Sequence, residues 1–302
     1  LFRSTQNLST SPILRRQNRI RTIYSSLAIE QNTLSLEQVT AVLSGKRVLA
    51  PPKDIAEVKN AYEIYDHLAE LNPYSIDDLL LAHRTMMQGL VHEAGEFRSR
   101  PVGVVDNQGN VLHFGTLPQY VPYLMEELVQ WTESSPFPLL IKSCVFHYEF
   151  EVIHPFADGN GRIGRLWHTL LLSKWNPLFA WLPIESIIHD HQVEYYAAIN
   201  QSNAQGEGTA FIEFMLGIIK EALQEAIDEQ PAEKPSMQSK EELRWEKIAD
   251  FLRTNSTIQN SDVQNFLDVS SATASRILNA LTKEGKLIKV RNGRYWAYKA
   301  AE

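Results

Sequence analysis

The sequence predicts a mainly α-helical protein: a large helical domain carrying one β-hairpin, then a small unit of three helices and a second hairpin. Three observations carry that prediction. Six segments before residue 230 repeat apolar residues at three- and four-residue spacing, the period of a helix with one buried face. One stretch, Pro101–Phe114, instead sets β-branched residues on either side of Asp106-Asn-Gln-Gly109, a hairpin signature. The run 229–239 holds two prolines and almost no apolar residues, the profile of a linker between folded units.

In chain order, the periodic segments are Val58–Leu71, Ile76–Gly89, Pro118–Thr132, Phe137–Val152, Ile163–Trp175 and Phe211–Ile227. Asn72-Pro73 and Ser135-Pro136 supply stops between them, because the residue before a proline is driven out of the α region. Beyond the linker, Leu243–Leu252, Ser261–Leu267 and Ser270–Glu284 read as helices, the last two opening on a serine able to cap. Gly285 ends the third helix. Leu287–Val290 and Tyr295–Tyr298 then flank Arg291-Asn-Gly-Arg294, a strong hairpin turn. That order resembles a winged helix-turn-helix domain. The expected organisation is an N-terminal segment over 1–56, a large domain over 57–228, a linker over 229–240 and the C-terminal unit over 241–302.

Composition removes several function classes. Of 302 residues, 44% are hydrophobic and 22% charged, which is globular and not disordered. Lys plus Arg number 29 against 36 Asp plus Glu, a net charge of −7, so the chain as a whole is no nucleic-acid coat. Cys144 is the single cysteine, which excludes an internal disulfide framework and any multi-cysteine metal site; in its apolar run it reads as a small core residue. No apolar run reaches the ~18 residues a bilayer span needs, and the N-terminus has no signal-peptide pattern. The expected setting is cytoplasmic, with no membrane partner.

The densest chemistry lies in His154-Pro-Phe-Ala-Asp-Gly-Asn-Gly-Arg-Ile-Gly-Arg165, between two helical segments. Gly159-Asn-Gly161 can expose backbone N–H groups at the mouth of the following helix, where dipole and unpaired donors favour an anion. Arg162 and Arg165, three apart, share a helix face and can hold neighbouring phosphate oxygens. Asp158 offers a hard oxygen suited to magnesium. His154 stands beside the cradle as a base whose ordinary titration range is near neutrality. Cradle, metal ligand, charge clamp and base together describe phosphoryl or nucleotidyl transfer.

This segment resembles the active-site motif of the Fic family, His-x-Phe-x-Asp/Glu-Gly-Asn-Gly-Arg-x-x-Arg. His154, Phe156, Asp158, Gly159, Asn160, Gly161, Arg162 and Arg165 match every fixed position. Gly95-Glu-Phe-Arg98, the hairpin at 102–114, and Tyr195-Tyr196 with Asn203 are similar to the family as well, and the likeness spans roughly 13–225. It implies a Fic-type helical bundle with a β-hairpin flap, and a protein adenylyltransferase moving AMP from ATP to a Ser, Thr or Tyr hydroxyl. His154 would take the hydroxyl proton, and Asp158 would hold Mg2+ across the α- and β-phosphates. Asn160 and the amides of Gly159 and Gly161 would hold the α-phosphate, Arg162 the β-phosphate and Arg165 the γ-phosphate. Ile163 and Gly164 complete that ATP-binding run, and Tyr195, Tyr196 and Asn203 would surround the adenine; core packing is the alternative for the tyrosines. The 102–114 flap would dock the target protein as an added strand. Relatives that transfer phosphoryl groups carry lysine at the position of Gly161, and those that transfer phosphocholine usually carry alanine at that of Gly159. Both glycines here point to adenylylation.

Ser25-Ser-Leu-Ala-Ile-Glu-Gln-Asn32 resembles the family's inhibitory motif, Ser/Thr-x-x-x-Glu-Gly/Asn, with Ser26 and Glu30 in register on a helix of about 13–31. Gln31 departs from the Gly/Asn preference, which leaves the helix end open to a different shape. Glu30 paired with Arg165 would occupy the place of the γ-phosphate. His189-Asp-His191 could bind a metal in principle but reads rather as polar residues on a surface loop, and no His-Glu-x-x-His metal spacing occurs.

Over 271–302 seven lysines and arginines face two glutamates, a surplus of five positive charges against −7 for the chain, which is the electrostatic footprint of a DNA contact. A protein-docking or homodimer-forming wing is the alternative. Two rival functions stay open: a DNA-binding regulator whose Fic domain senses nucleotide, and an enzyme that removes AMP.

Overall fold

Ser11 starts the first helix by accepting a hydrogen bond from the Leu14 amide, and Pro12 sits where a helix needs no N–H. In the computed structural model, which describes residues 11–105, 111–228, 240–292 and 295–301, this helix is α1 (Pro12–Ile29). It ends in a Schellman motif: the Asn32 amide donates to the Leu27 carbonyl and the Gln31 amide to that of Ala28, both at 3.0 Å. Gln31 takes the left-handed conformation there, with φ 65°. The helix end thus has the shape that glycine or asparagine would give it.

After α1 come α2 (Leu36–Leu43), opened by a Ser35–Gln38 capping box, α3 (Pro52–Asp66) and α4 (Ile76–Met86). The predicted hairpin follows as β1 (Gly103–Val105) and β2 (Val111–Phe114), antiparallel, pairing Gly103 with Phe114 and shifting register after Val104. Its turn, 106–110, lies outside the described residues. Then come α5 (Val121–Ser134), α6 (Leu139–Ile153), α7 (Asn160–Trp175), α8 (Ile184–Asp190), α9 (Gln192–Gln205) and α10 (Thr209–Asp228).

Several bounds differ from the periodic reading. α3 starts at Pro52, which fixes the first turn, and stops at Asp66 with a 3-10 turn at Leu68–Glu70. α4 ends at Met86 because Gly89, at φ 71°, turns the chain. Pro118–Tyr120 is a 3-10 turn ahead of α5. α2 and α8 are too short for the pattern to register, and α9 mixes polar and apolar residues around its circumference.

α6 and α7 pack side by side at the centre, and both feed two apolar clusters. One cluster holds Phe146, Phe150, Phe156 and Trp167; the other holds Cys144, Phe179, Tyr195 and Phe211. α7 is buried on nearly every face from Arg162 to Leu172, so its polar residues must find partners inside the protein. Trp167 does so by donating to the Pro73 carbonyl at 3.1 Å.

The chain divides into two units, Leu1–Gln230 and Pro231–Glu302. The second comprises α11 (Lys240–Thr254), α12 (Asn260–Leu267), α13 (Ser271–Lys283), β3 (Leu287–Asn292) and β4 (Tyr295–Ala300). Ile258 pairs with Tyr298 as a further bridge, and Ile248, Val263, Leu278 and Leu287 build the core, which makes this a winged helix-turn-helix. Ser270 caps α13 as expected. Ser261 does not cap α12; it lies inside the helix, and Asp262 accepts from the Gln259 amide instead. Gly293 and Arg294 of the predicted turn lie outside the described residues.

Gln31→Gly should stabilise the large unit, because a side chain in the left-handed region costs roughly 1–2 kcal/mol and glycine there costs little. Thermal unfolding should shift upward by roughly 2–4 °C; a downward shift would show that the Gln31 side chain contributes more than its backbone costs.

Candidate active site

The turn between α6 and α7 is built from backbone conformations few residues tolerate. His154 closes α6 in the left-handed region at φ 52°, and Gly159 opens α7 at φ 88°. A Cβ on Gly159 would also stand 2.7 Å from the Met87 sulfur, so both space and dihedral call for glycine. Asn160 staples the loop between them: its Oδ1 accepts from the Phe156 amide and its Nδ2 donates to the Phe156 carbonyl, each at 2.8 Å. The amides of Asn160, Gly161 and Arg162 begin α7 and have no carbonyl one turn back, the arrangement that favours an anion at a helix mouth. The Gly159 amide is bonded to the Asp158 carboxylate at 2.6 Å.

Both arginines of the motif are buried and each meets a carboxylate from elsewhere in the chain. Arg165, 1% exposed, donates to Glu30 Oε1 at 2.8 Å, to the Ser26 carbonyl at 3.0 Å and, through Nε, to Ser26 Oγ at 3.2 Å. Burial works against its charge, but Glu30 and the Tyr195 hydroxyl outweigh that and hold its pKa above the ordinary arginine value. The Glu30 carboxylate stands directly over Gly161, in the space that a Cβ there would take, with Arg165 Nη1 3.0 Å from the same point. Arg162 lies between Asp158 and Glu57, donating to each at 3.0 Å. Glu57 in turn accepts from Asn32 Nδ2 at 2.8 Å. The C-terminal end of α1 is therefore tied to both arginines, directly through Glu30 and indirectly through Asn32 and Glu57.

Behind Arg165 lies a group of polar side chains that burial drives towards their neutral forms. His147 on α6 meets the Tyr195 hydroxyl at 3.1 Å, and burial pushes its pKa well below the usual histidine value. Glu151, one turn on, has its pKa pushed up to about 7 by burial, partly offset by Arg165. The 3.9 Å His147–Glu151 approach thus joins a neutral imidazole to a carboxyl that is only partly ionised near pH 7, and is no ion pair. Gly164 leaves room for them, since a Cβ there would lie 2.8 Å from Glu151 Oε1. Ile163 is wholly buried core. Tyr195 is core as well, packed on Phe211 and Phe214, while Tyr196 is half-exposed beside it. Asn203 accepts from the Tyr148 hydroxyl at 3.1 Å.

Known proteins resemble this chain in sequence and fold. A solved Fic family protein from Desulfovibrio desulfuricans G20 is 41% identical, superposes with a TM-score of 0.71, and covers 98% of this chain and 89% of its own. The chain belongs to the Fic family. A Fic/DOC family model matches residues 73–172, and a model of the DeoR-like helix-turn-helix domain matches 244–297. Among curated relatives, protein adenylyltransferase fic-1 of Caenorhabditis elegans is 31% identical over 208 residues, 64% of this chain and 38% of that protein. Protein adenylyltransferase Fic of Nematostella vectensis is 31% identical over 207 residues, 64% of this chain and 45% of its own. The chain thus spans less than half the length of these two.

Three residues outside the Fic motif hold its loop, and sequence reasoning assigned none of them a role. His83 stacks on Phe156 with centroids 3.7 Å apart; its Nδ1 accepts from the Gly95 amide and its Nε2 donates to the Asp158 carbonyl, both at 2.9 Å. Burial lowers its pKa to about 4, so it is the neutral tautomer that spans these two groups. Arg98 gathers carbonyls: Nε donates to His154 at 2.6 Å, Nη1 to Arg100 at 2.9 Å, and Nη2 to Ile153 and Thr116. It joins the end of α6 to the base of the flap, where Gly115 donates to Val102 and stands next to the His154 side chain. Glu57 is the third. Among the described residues no three His, Cys, Asp or Glu side chains gather as a metal cluster. None of the described helices is long and apolar enough to cross a membrane.

Glu151 sets a pH dependence. A carboxyl whose folded pKa is raised costs stability as pH climbs from its unfolded value near 4.5 to about 7, and the cost is constant above that. Glu151→Gln removes the cost. Relative to wild type, the variant should gain on the order of 2 kcal/mol between pH 5 and pH 8 in urea unfolding; a gap independent of pH would place Glu151 in a more polar setting.

Proposed function

We propose that this chain is a protein adenylyltransferase that moves AMP from ATP to a Ser, Thr or Tyr hydroxyl and is restrained by Glu30. The observation that carries the reading is the Glu30 carboxylate paired with Arg165 directly over Gly161, at the mouth of a helix built to receive an anion. An anion-binding helix start, two buried guanidiniums and a histidine at the edge of a flap are the parts that AMP transfer requires, and the relatives' names agree.

In this reading the triphosphate lies along the start of α7. The free amides there and Arg162 hold the phosphates nearest the transfer, and Arg165 holds the γ-phosphate once Glu30 withdraws. His154 accepts the proton of the incoming hydroxyl as its oxygen bonds to the α-phosphorus and the bond to pyrophosphate breaks. Asn160 acts through the loop it staples, which fixes the amides. Arg98 fixes the backbone carbonyl of His154 and the flap base, so base and docked target keep one geometry. The 102–114 flap would receive the target as an added strand, and Tyr196 and Asn203 line the side on which the adenine would lie. Tyr195 would support that wall from the core. Magnesium suits the site: Asp158 is half-exposed at the cradle and Mg2+ normally takes one or two carboxylates plus phosphates. Its contribution when bound is neutralisation of phosphate charge.

The setting proposed is the cytoplasm, where ATP is at hand. DNA is the proposed partner of the second unit. That reading rests on the positive surplus of 271–302 and on the wing, where Lys289 lies 4.6 Å and Arg291 5.9 Å from the ring of the exposed Trp296.

Labelled ATP tests the enzyme reading. His154→Ala should reduce transfer of α-label to protein by about 10²–10⁴ while ATP binding persists; transfer at the wild-type rate would remove His154 from the chemistry. Covalent γ-label in place of α-label would make the reaction a phosphorylation. Glu30→Gly should raise transfer by about tenfold or more, and adding Arg165→Ala should cancel the gain, since tenfold corresponds to roughly 1.4 kcal/mol, well within one buried charge contact. An unchanged rate in Glu30→Gly, or a gain that survives loss of Arg165, would contradict the brake. Faster loss of AMP from modified protein in wild type than in Glu30→Gly would favour AMP removal.

A further inference from the structure

The N-terminal half of α1 lines a cavity remote in sequence from the Fic motif. It has a volume of about 440 Å3, within the range of small-molecule sites, and its walls include Arg15, Arg16, Arg19, Tyr62, Asp66 and Trp181. Arg15 and Arg19, one helical turn apart, each hold their guanidinium 4.8 Å from the Trp181 ring centroid. Asn18 donates to the Trp181 carbonyl at 3.1 Å, which ties that indole to the same helix.

None of these cations is closed off by a direct ion pair, although Glu185 and Asp66 act on Arg19 from further away. Among the described residues none of the three arginines forms an ion pair; those of α1 are confined to Arg21. Arg19 is 7% exposed, and burial lowers its pKa, although an arginine stays charged at any physiological pH. The Arg15 Nε is buried with no acceptor, and Arg16 reaches Ser44 Oγ at 3.3 Å. Arg19 feels two carboxyls, Glu185 and Asp66, and burial pushes Glu185 towards its neutral form, so the three guanidiniums still leave a positive excess. A guanidinium over an aromatic ring uses its face and keeps its N–H edge for a planar or tetrahedral oxyanion. The tryptophan and the exposed edge of Tyr62 offer a flat apolar wall beside that edge.

We infer that this cavity binds a small organic phosphate monoester bearing a planar ring, its phosphate on the Arg15–Arg19 pair and its ring along the Tyr62–Trp181 wall. The ligand would touch α1, α3 and the segment before α8 at once, and so brace α1 against the body of the domain. Because Glu30 lies at the other end of α1, bracing would keep the carboxylate on Arg165. That consequence rests on the brake proposed above; the binding site does not.

Calorimetric titration of the full chain with phenyl phosphate, alongside tryptophan fluorescence, tests the site. One binding event outside the cradle is expected, unchanged by Arg162→Ala and weakened about tenfold by Arg15→Gln with Arg19→Gln, the scale of a lost charge-assisted hydrogen bond. Arg16→Glu, at an exposed position that the fold tolerates, should weaken it several-fold and guards against a misfolded double variant. No binding up to about 10 mM, where even a millimolar site saturates, or binding indifferent to all three arginines, would overturn the proposal. Inorganic phosphate binding as tightly as phenyl phosphate would overturn the role of the ring. Phenyl phosphate should also slow AMP transfer in wild type and leave Glu30→Gly unaffected. Binding without that slowing would fail the coupling to the brake and leave the site standing.

Discussion

A guanidinium almost wholly removed from water is the constraint around which this molecule is arranged. Arg165 is 1% exposed in the middle of a helix buried on nearly every face. An isolated buried charge carries a penalty of several kcal/mol, so Arg165 must have an anion beside it. Glu30 supplies one at 2.8 Å, from a helix 135 positions earlier in the chain. The same space over Gly161 is where the cradle would receive a phosphate oxygen, and both anions cannot occupy it. On the proposed reading the two anions compete for one buried cation, and the docking of α1 and the seating of a γ-phosphate would exclude each other.

The surroundings hold that competition in register. The Schellman turn after α1 places Asn32 on Glu57, and Glu57 on Arg162, so the end of α1 communicates with both cations of the motif. Release of α1 would loosen two contacts together. The motif loop, by contrast, is fixed independently of α1: His83 holds the Asp158 carbonyl and Arg98 that of His154. Loop geometry therefore survives a change in the brake. Behind Arg165, His147 and Tyr195 are neutral near pH 7 and Glu151 is only partly ionised, whereas Glu30 bonds Arg165 directly and is its principal anion.

Much of this was legible because it is local in sequence. The segment from His154 to Arg165 compresses turn, cradle and clamp into consecutive residues, and two-residue spacing around a turn announced the flap and the wing. Glu30 was legible through resemblance to the inhibitory motif, since nothing in its neighbours distinguishes it from a surface glutamate at a helix end. Glu57 and His83 carry no such pattern, and Arg98 stands in a stretch that resembles the family without a role attached to it. All three lie 56 to 105 positions from the motif residues they hold, and a hydrogen bond across such a distance leaves no periodic trace. The resemblance gives Asn160 to the α-phosphate, and in the structure its side-chain amide is bonded to Phe156 within the loop while its backbone N–H starts α7. Among helices, α9 escaped because its circumference mixes polar and apolar residues, and α8 because seven residues are too few to show a period.

The central claim is that Glu30 and the γ-phosphate compete for Arg165, and nucleotide affinity tests it without reference to any target protein. ATP and ADP should be titrated calorimetrically, with magnesium, into wild type and Glu30→Gly. ADP lacks the γ-phosphate and should bind the two proteins within about a factor of two, below roughly 0.4 kcal/mol. ATP should bind Glu30→Gly at least about tenfold more tightly than wild type, a gain of roughly 1.4 kcal/mol confined to the third phosphate. Equal gains for ATP and ADP, or none for either, would contradict the claim that the carboxylate stands where the γ-phosphate goes.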